Sequence, residues 1–397
     1  MPDHVSPDDI RAQFSAAISA LYRAEVPLYG ELIEIVDTVN AQTSTREADR
    51  IGGERHGAIR LGTASELAMM RRAFAVMGMH PVGYYDLAPA GVPVHSTAFR
   101  PIEPDALRRS PFRMFTSLLR LELIADEAVR HAVATILARR RIVSDRLVQH
   151  IERSEQEGGL GIDEANSFVA ELIETFRWHR HALVDGETYK RLLHVHPLVA
   201  DIAAFRGPHI NHLTPRTLDI DAVQAAMVER GMAAKAVIEG PPRRAVPILL
   251  RQTSFAALEE EVVFADHVGT HTARFGEVEQ RGAALTPKGR KLYDDILAGR
   301  GTFADFPDRL DELRRDGLAY FRGTDPILYE DFLPVSAAGI FQSNLGDARR
   351  EAFAAPSAQA EFEQALGRPV LDIFSLYEGS LGLASLASRP GRSEECP

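Results

Sequence analysis

The segment "GPHINHLTPR", residues 207–216, sets His209 and His212 three apart in a stretch whose Thr-Pro ending suits neither a regular helix nor an uninterrupted strand. A second histidine-bearing run, "RHGAIRLGT", has His56 near the start of what reads as a strand. A third, "FGEVEQRG", carries Glu277 and Glu279 on one strand face. Two imidazoles and one carboxylate grip a metal ion on one side and leave three coordination positions open. That arrangement suits non-haem Fe(II) and O2 chemistry, with a bidentate 2-oxo acid and O2 in the open positions. Periodicity leaves Glu277 and Glu279 equivalent as the third ligand.

His56, Ala58 and Arg60 fall on one face of their strand, with the Cα atoms of His56 and Arg60 roughly 13 Å apart at about 3.3 Å per residue. Arginine binds a carboxylate through a planar two-pronged fork and stays charged at any working pH. The spacing therefore favours a substrate bound to the metal at one end and carrying a carboxylate at the other.

Such a site needs elements that bring residues 56, 212 and 277 together. The N-terminal run "SPDDIRAQFSAAISALYRAEVPLYGELIEIVDTVNAQ" has Ser/Asp start signals, helical apolar spacing and a break at Pro27, and so predicts two helices. Residues from about 51 to 103 read as a strand, a capped helix over Thr63–Met77, a Gly-Met stop and two strands around a Gly-Pro turn. Residues 104–206 carry long helical patterns with no clear strand signal and read as a helical insertion. From about 207 to 283 the earlier order returns: a histidine-bearing extended segment, an acid-capped helix, a Gly-Met stop, a strand, then further strands in "AVPILLRQTSF" and "HTARFGEVEQRG". Gly78 follows His56 by 78 − 56 = 22 residues and Gly231 follows His212 by 231 − 212 = 19. The chain thus reads as an internal duplication of one βαβββ-type unit, which lets His56 and His212 approach across a pseudo-twofold axis. Residues 284–386 read as a C-terminal cap completing one catalytic domain over 1–386, and 387–397 as a disordered tail.

Composition fits this picture. The 397 residues are 45% hydrophobic and 25% charged, as in ordinary globular proteins, with a net charge of −11 and no run of five or six basic residues to attract nucleic acid or an anionic membrane. The only cysteine, Cys396, has no internal partner, which fits a reducing, cytoplasmic setting. The acidic start "MPDHVSPDDIRAQ" lacks the pattern of a secretory leader, and no stretch reaches about 18 uninterrupted apolar residues, so a soluble, unprocessed chain is expected.

The runs "AEVPLYGELIEIV", "ERHGAIRLGT", "MGMHPVGYYDL", "GVPVHSTAFRP", "NHLTPR", "LLRQTSF", "FGEVEQRGAALTPKGR" and "LPVSAAGIFQSNL" closely resemble the 2-oxoadipate dioxygenase/decarboxylase family of the vicinal oxygen chelate superfamily. The resemblance runs from about Arg11 to Ala384. It implies an α+β vicinal oxygen chelate fold: duplicated βαβββ-type units forming a mixed sheet around a metal site, with helical insertions. It further implies an Fe(II) enzyme that turns 2-oxoadipate and O2 into D-2-hydroxyglutarate and CO2, a step of lysine breakdown. Carried over by motif, the ligands are His56, His212 and a glutamate of "FGEVEQRG". Glu277 is chosen because "EVEQR" is similar to the last ligand strand of the 4-hydroxyphenylpyruvate dioxygenases, where the ligand stands three positions before Gln-Arg. By the same resemblance Arg60 holds the distal carboxylate, and Val335 and Ser336 of "LPVSAAG" line the substrate pocket. Arg251 and Gln252 of "LLRQTSF" are lesser candidates; they face opposite sides of their strand, so at most one points inward, and Gln252 is the one taken as substrate-binding.

The remaining histidines have plainer readings. His179, His181, His194 and His196 are expected to be surface or hydrogen-bonded residues, and His209 to support its neighbours. Two other functions fit the same scaffold: a lyase or isomerase using a redox-inert metal as Lewis acid, and a non-catalytic binder of 2-oxo acids. The His56–His212 pair with a strand glutamate argues against the second.

Overall fold

The computed structural model describes residues 4–42, 48–272, 274–333, 353 and 356–382. Its N-terminal helices are those the sequence predicts. Helix α1 (Pro7–Glu25) is capped by Ser6, whose hydroxyl accepts from the Asp9 amide at 3.1 Å, and α2 (Pro27–Ala41) restarts at Pro27, which has no N–H to continue α1. Ile10, Phe14, Ile18 and Tyr22, each four apart, form the buried face of α1. A short helix, α3 (Ala48–Ile51), leads into the first strand.

That strand, β1 (Arg55–Leu61), is followed by α4 (Ala64–Val76), β2 (His80–Asp86), β3 (Val94–Arg100), α5 (Pro104–Arg109) and β4 (Phe112–Leu119). The helix is capped by the Thr63 hydroxyl and stops at Gly78, whose φ of 65° is a left-handed conformation that only glycine takes without strain. Strand β4 corrects the expectation that residues 104–206 contain no strand. Every residue of "FRMFTSLL" is buried, so the hydrophobic alternation that marks a half-exposed strand is missing. With β4 the first unit is a complete βαβββ unit, and the insertion of helices starts after it: α6 (Glu127–Ala138), α7 (Asp145–Glu157), α8 (Ile162–Thr175), α9 (Gly186–Val195) and α10 (Pro197–Ala204).

The second unit opens with β5 (His212–Pro215) and α11 (Ile220–Glu229), and again the helix is followed by a left-handed glycine, Gly231 at φ 75°. Thereafter it departs from the sequence reading. The strand expected after Gly231 is reduced to isolated bridges at Ala234–Phe255 and Glu239–Gln252. Strand β6 (Leu250–Ser254) forms as expected, but an unforeseen hairpin, β7 (Glu259–Val263) with β8 (Val268–Thr272), precedes β9 (Glu277–Arg281). "HTARFGEVEQRG" is therefore the end of one strand and the whole of the next.

The main sheet has the order β2-β3-β4-β1-β5, with β1 and β4 parallel and the other pairs antiparallel. A bridge from Arg216 to Glu279 ties β9, paired with β6, to the end of β5. Alternate residues of β1 enter different cores. Ile59 and Leu61 pack with α1, α2 and α4, whereas Ala58 packs with residues of α6, α9 and α10. His56 and Arg60 share the Ala58 side by the two-residue period of the strand. The C-terminal region supplies α12 (Pro287–Leu297), α13 (Leu310–Arg315), a small hairpin of β10 (Phe321–Arg322) and β11 (Asp325–Pro326), and helices over Gln359–Leu366 and Ile373–Ser380. The tail, 387–397, lies outside the described residues. Among the described residues no helix is long and apolar enough to cross a membrane.

Candidate metal centre

Register decides which side chains meet. In the antiparallel β1–β5 pair, His212 lies opposite Ala58 and Thr214 opposite His56, so His56, His212 and Arg60 share one face. Strand β9 comes alongside through the Thr217 amide, which donates to the Glu279 carbonyl at 2.7 Å, and brings Glu277 to the same place. One ligand atom from each of His56, His212 and Glu277 falls within 4.8 Å of the other two, and all three residues are buried. His56 Nε2 lies 3.2 Å from Glu277 Oε1, and the two imidazole rings stand edge to face at 5.4 Å.

Glu277 Oε1 accepts from Thr214 Oγ1 at 3.0 Å and from Gln252 Nε2 at 2.8 Å. Its Oε2 and the Nδ1 of His212 are buried and have no hydrogen-bond partner among the described residues. Buried polar atoms without partners are costly, and a cation held by the three converging side chains would offset part of that cost. This donor set of two nitrogens and a carboxylate oxygen fits a divalent transition metal.

Glu277 and Glu279, equivalent by periodicity, take different positions. The Glu279 carboxylate is held by both prongs of Arg281, at 2.7 and 2.8 Å, and its Oε2 lies 2.9 Å from Nδ1 of His56, an ion-pair distance although the ring is not aligned for a hydrogen bond. It stands behind the His56 ring, on the side away from Glu277. Phe332 packs edge-on against His56 at 4.9 Å, the Arg281 guanidinium lies over the Phe332 ring at 5.2 Å, and Phe275 packs against His212 at 4.8 Å.

The charges follow from this packing. Burial, with His56 and Arg60 nearby, pushes the His212 imidazole down to about 4 against the pull of Glu277, so it is neutral and able to ligate. Burial acts the same way on His56, but Glu279 and Glu277 outweigh it and hold that ring above its ordinary value. Glu279 is pulled down to about 2 by Arg281 and His56 in spite of burial, and Glu277 is likewise lowered by the two histidines.

Behind Glu279 lies a buried ion network. Glu54 accepts from Arg113 Nη2 and Arg216 Nη1, both at 2.9 Å, and from Arg50, which also pairs with Glu330 at 2.8 Å. Arg113 bonds Glu330 as well. Arg100 donates to Asp331 at 2.7 Å, and Tyr377 donates to the same carboxylate at 2.7 Å.

The other residues singled out in the sequence are placed as follows. Arg60 pairs with Asp201 of α10, Nη1 to Oδ2 at 2.5 Å. Gln252 points inward and contacts Glu277; Arg251 points away, to Asp221 at 2.7 Å. Val335 and Ser336 lie outside the described residues. His209 is buried, with Nε2 3.1 Å from Asp201. His196 caps α10 by accepting from the Leu198 amide at 3.0 Å, while His181 and His194 are exposed and His179 half-buried. Sequence reading missed Asp201 and His271, although Asp201 left a signal: it is a lone acid in the otherwise apolar "PLVADIAA", and a charge on a fully buried helix requires a partner.

Comparison with known proteins gives concordant results. The sequence model of the 2-oxoadipate dioxygenase/decarboxylase family matches residues 14–344. A 2-oxoadipate dioxygenase/decarboxylase of Escherichia coli (strain K12) is 53% identical over 95% of this chain and 97% of its own length. The crystal structure of the Pseudomonas putida hydroxyglutarate synthase in complex with 2-oxoadipate superposes with a TM-score of 0.88 at 50% identity, covering 96% of this chain and 97% of that one. A glyoxalase-superfamily protein from Ralstonia eutropha JMP134 shares the fold at a TM-score of 0.56 and 19% identity, over 70% of this chain and 85% of that one. The fold is the α+β vicinal oxygen chelate fold.

Proposed function

The chain belongs to the 2-oxoadipate dioxygenase/decarboxylase family and is an oxidoreductase, and on that premise we propose that it converts 2-oxoadipate and O2 to D-2-hydroxyglutarate and CO2 at an Fe(II) held by His56, His212 and Glu277, as a step of lysine breakdown. The observation that carries the reading is the convergence of these three buried side chains, with Glu277 Oε2 and His212 Nδ1 lacking any other partner among the described residues.

When bound, the metal supplies a chelation point for the 2-oxo acid and the electrons that activate O2. The protein's own residues do the rest. Glu277 is aimed by Thr214 and Gln252, which hold one of its oxygens. Glu279 and Arg281 hold the back of the His56 ring. Arg60, on the same face, receives the far carboxylate and so fixes how the carbon chain lies over the metal, which decides which hydrogen is replaced. Phe332 and Phe275 keep water from the ligands. C1 leaves as CO2, one oxygen atom enters the new carboxylate and the other the hydroxyl, so no external reductant is consumed. Val335 and Ser336 complete the pocket wall in this reading, residues 1–386 work as one catalytic unit, and the lone Cys396 supports a cytoplasmic setting.

The test is stoichiometric. Protein loaded anaerobically with Fe(II) and then given 2-oxoadipate and O2 should consume O2 in equal proportion to the CO2 and 2-hydroxyglutarate formed. Turnover of a carbonyl compound supported by Zn2+ or Mn2+ without O2 uptake would assign the site to Lewis-acid chemistry instead.

A second expectation concerns Glu279. Glu279→Gln leaves the three ligands in place but removes the charge behind His56, and Fe(II) affinity should fall about 10- to 100-fold. Anaerobic titration against a competing chelator measures this, and an unchanged affinity would remove Glu279 from the metal centre.

A further inference from the structure

Asp201 gathers a set of buried polar groups that the metal centre does not use. Its Oδ2 takes Nη1 of Arg60 at 2.5 Å, and its Oδ1 lies 3.0 Å from Nε2 of His271 and 3.1 Å from Nε2 of His209. Asn211 Nδ2 lies 3.4 Å from Oδ2. Behind His271, the Tyr189 hydroxyl meets Nδ1 at 2.8 Å. Since an ionised carboxylate cannot donate, His271 gives its Nε2 proton to Asp201, and the Tyr189 hydroxyl holds the other ring nitrogen, which fixes the ring's orientation. Trp178 lies parallel to His271 and edge-on to His209, closing the cluster off from solvent. Burial would raise the Asp201 carboxyl, but Arg60 and His209 hold it well below its usual value, so it is an anion.

These groups come from five places in the chain: β1, α9, α10, the approach to β5, and β8. A buried carboxylate with this many donors has one orientation, and it passes that orientation to the guanidinium it grips. We infer that Asp201, held by His271 and Tyr189, is the positioning residue for Arg60, and that it sets the enzyme's selectivity for 2-oxo acids bearing a second carboxylate at a fixed distance from the metal-bound end. The inference rests on the proposed function, in which Arg60 receives that carboxylate. A purely electrostatic view gives the opposite sign: Asp201 already neutralises Arg60, so removing its charge should tighten the binding of a dianionic substrate.

The test compares the wild type with Asp201→Asn and Tyr189→Phe, each as the Fe(II)-loaded full chain, on 2-oxoadipate and on 2-oxohexanoate, which lacks the distal carboxylate. For Asp201→Asn, KM for 2-oxoadipate should rise about 10- to 100-fold, the range set by hydrogen bonds to charged groups, while KM for 2-oxohexanoate and the Fe(II) affinity change less than about twofold. Tyr189→Phe, which removes a single hydroxyl and keeps the ring, should act in the same direction by about 2- to 10-fold and supplies the answer if Asp201→Asn does not fold. Tighter 2-oxoadipate binding, or equal losses on both substrates, overturns the positioning role. A wild type that does not turn over 2-oxoadipate at all overturns the functional reading instead, so the two failures are distinguishable.

Discussion

His212→Ala should lower metal-dependent O2 uptake with 2-oxoadipate by at least about a thousandfold, the size of loss typical when a group works only as part of an assembled site. The reason is geometric. With His212 gone, His56 and Glu277 remain as two donors, and His56 already has Glu277 at 3.2 Å on one side and Glu279 at 2.9 Å on the other. The pair has less reason to hold a cation than to hold each other. The fold should survive, because β5 is fixed by its backbone register with β1, and the His212 imidazole leaves a buried nitrogen without a hydrogen bond. Thermal unfolding of the variant should therefore stay close to that of the metal-free wild type, and added Fe(II) should raise the unfolding temperature of the wild type but not of the variant. A variant that keeps its O2 uptake would show that the metal is held elsewhere.

Arg113→Met should cost about 3–5 kcal/mol of folding stability, the range for removing one partner from a buried ion network. Arg113 is fully buried and holds Glu54, Glu330 and the Glu330 carbonyl, so its loss leaves two carboxylates short of positive charge in the interior. The cost depends on pH in a set direction. Burial alone would raise Glu330, but Arg50 and Arg113 hold it at about 2 against an ordinary 4.5. A carboxylate lowered in this way contributes stability that is complete above its unfolded value and is lost as pH falls toward its folded one. The difference between wild type and variant should thus be largest near neutrality and shrink between about pH 4.5 and 2. Urea unfolding at a series of pH values checks this, and a pH-independent difference would mean that packing, not charge, is what Arg113 provides.

Both effects originate in residues whose importance the sequence announces unevenly. Strand β1 shows the contrast within seven residues. His56 and Arg60 could be read as chemistry because they share a face, yet Arg113, opposite His56 in the parallel β1–β4 register, lay in a segment read as helical. A strand buried on both faces loses its alternation, and alternation is the signal that sequence reading uses. The β7–β8 hairpin was missed for the reverse reason: "EEEVV" is polar enough to pass for a loop, and it pairs because β8 offers it an edge.

By itself the sequence determined the class of the site. Histidines placed similarly in two repeated units, a glutamate-bearing strand and an arginine two alternations from His56 made the candidate donors, and the substrate charge proposed for them, legible, because periodicity and repetition are local properties that survive in one dimension. The choice between Glu277 and Glu279 belongs to tertiary structure. Both face the same side of β9, and only the positions of His212, Thr214 and Gln252 on one and Arg281 on the other separate them. The same holds for Asp201, which meets Arg60 across 141 residues of sequence. Which charge answers which is fixed by the packing of α10 over β1, and no spacing along the chain encodes it.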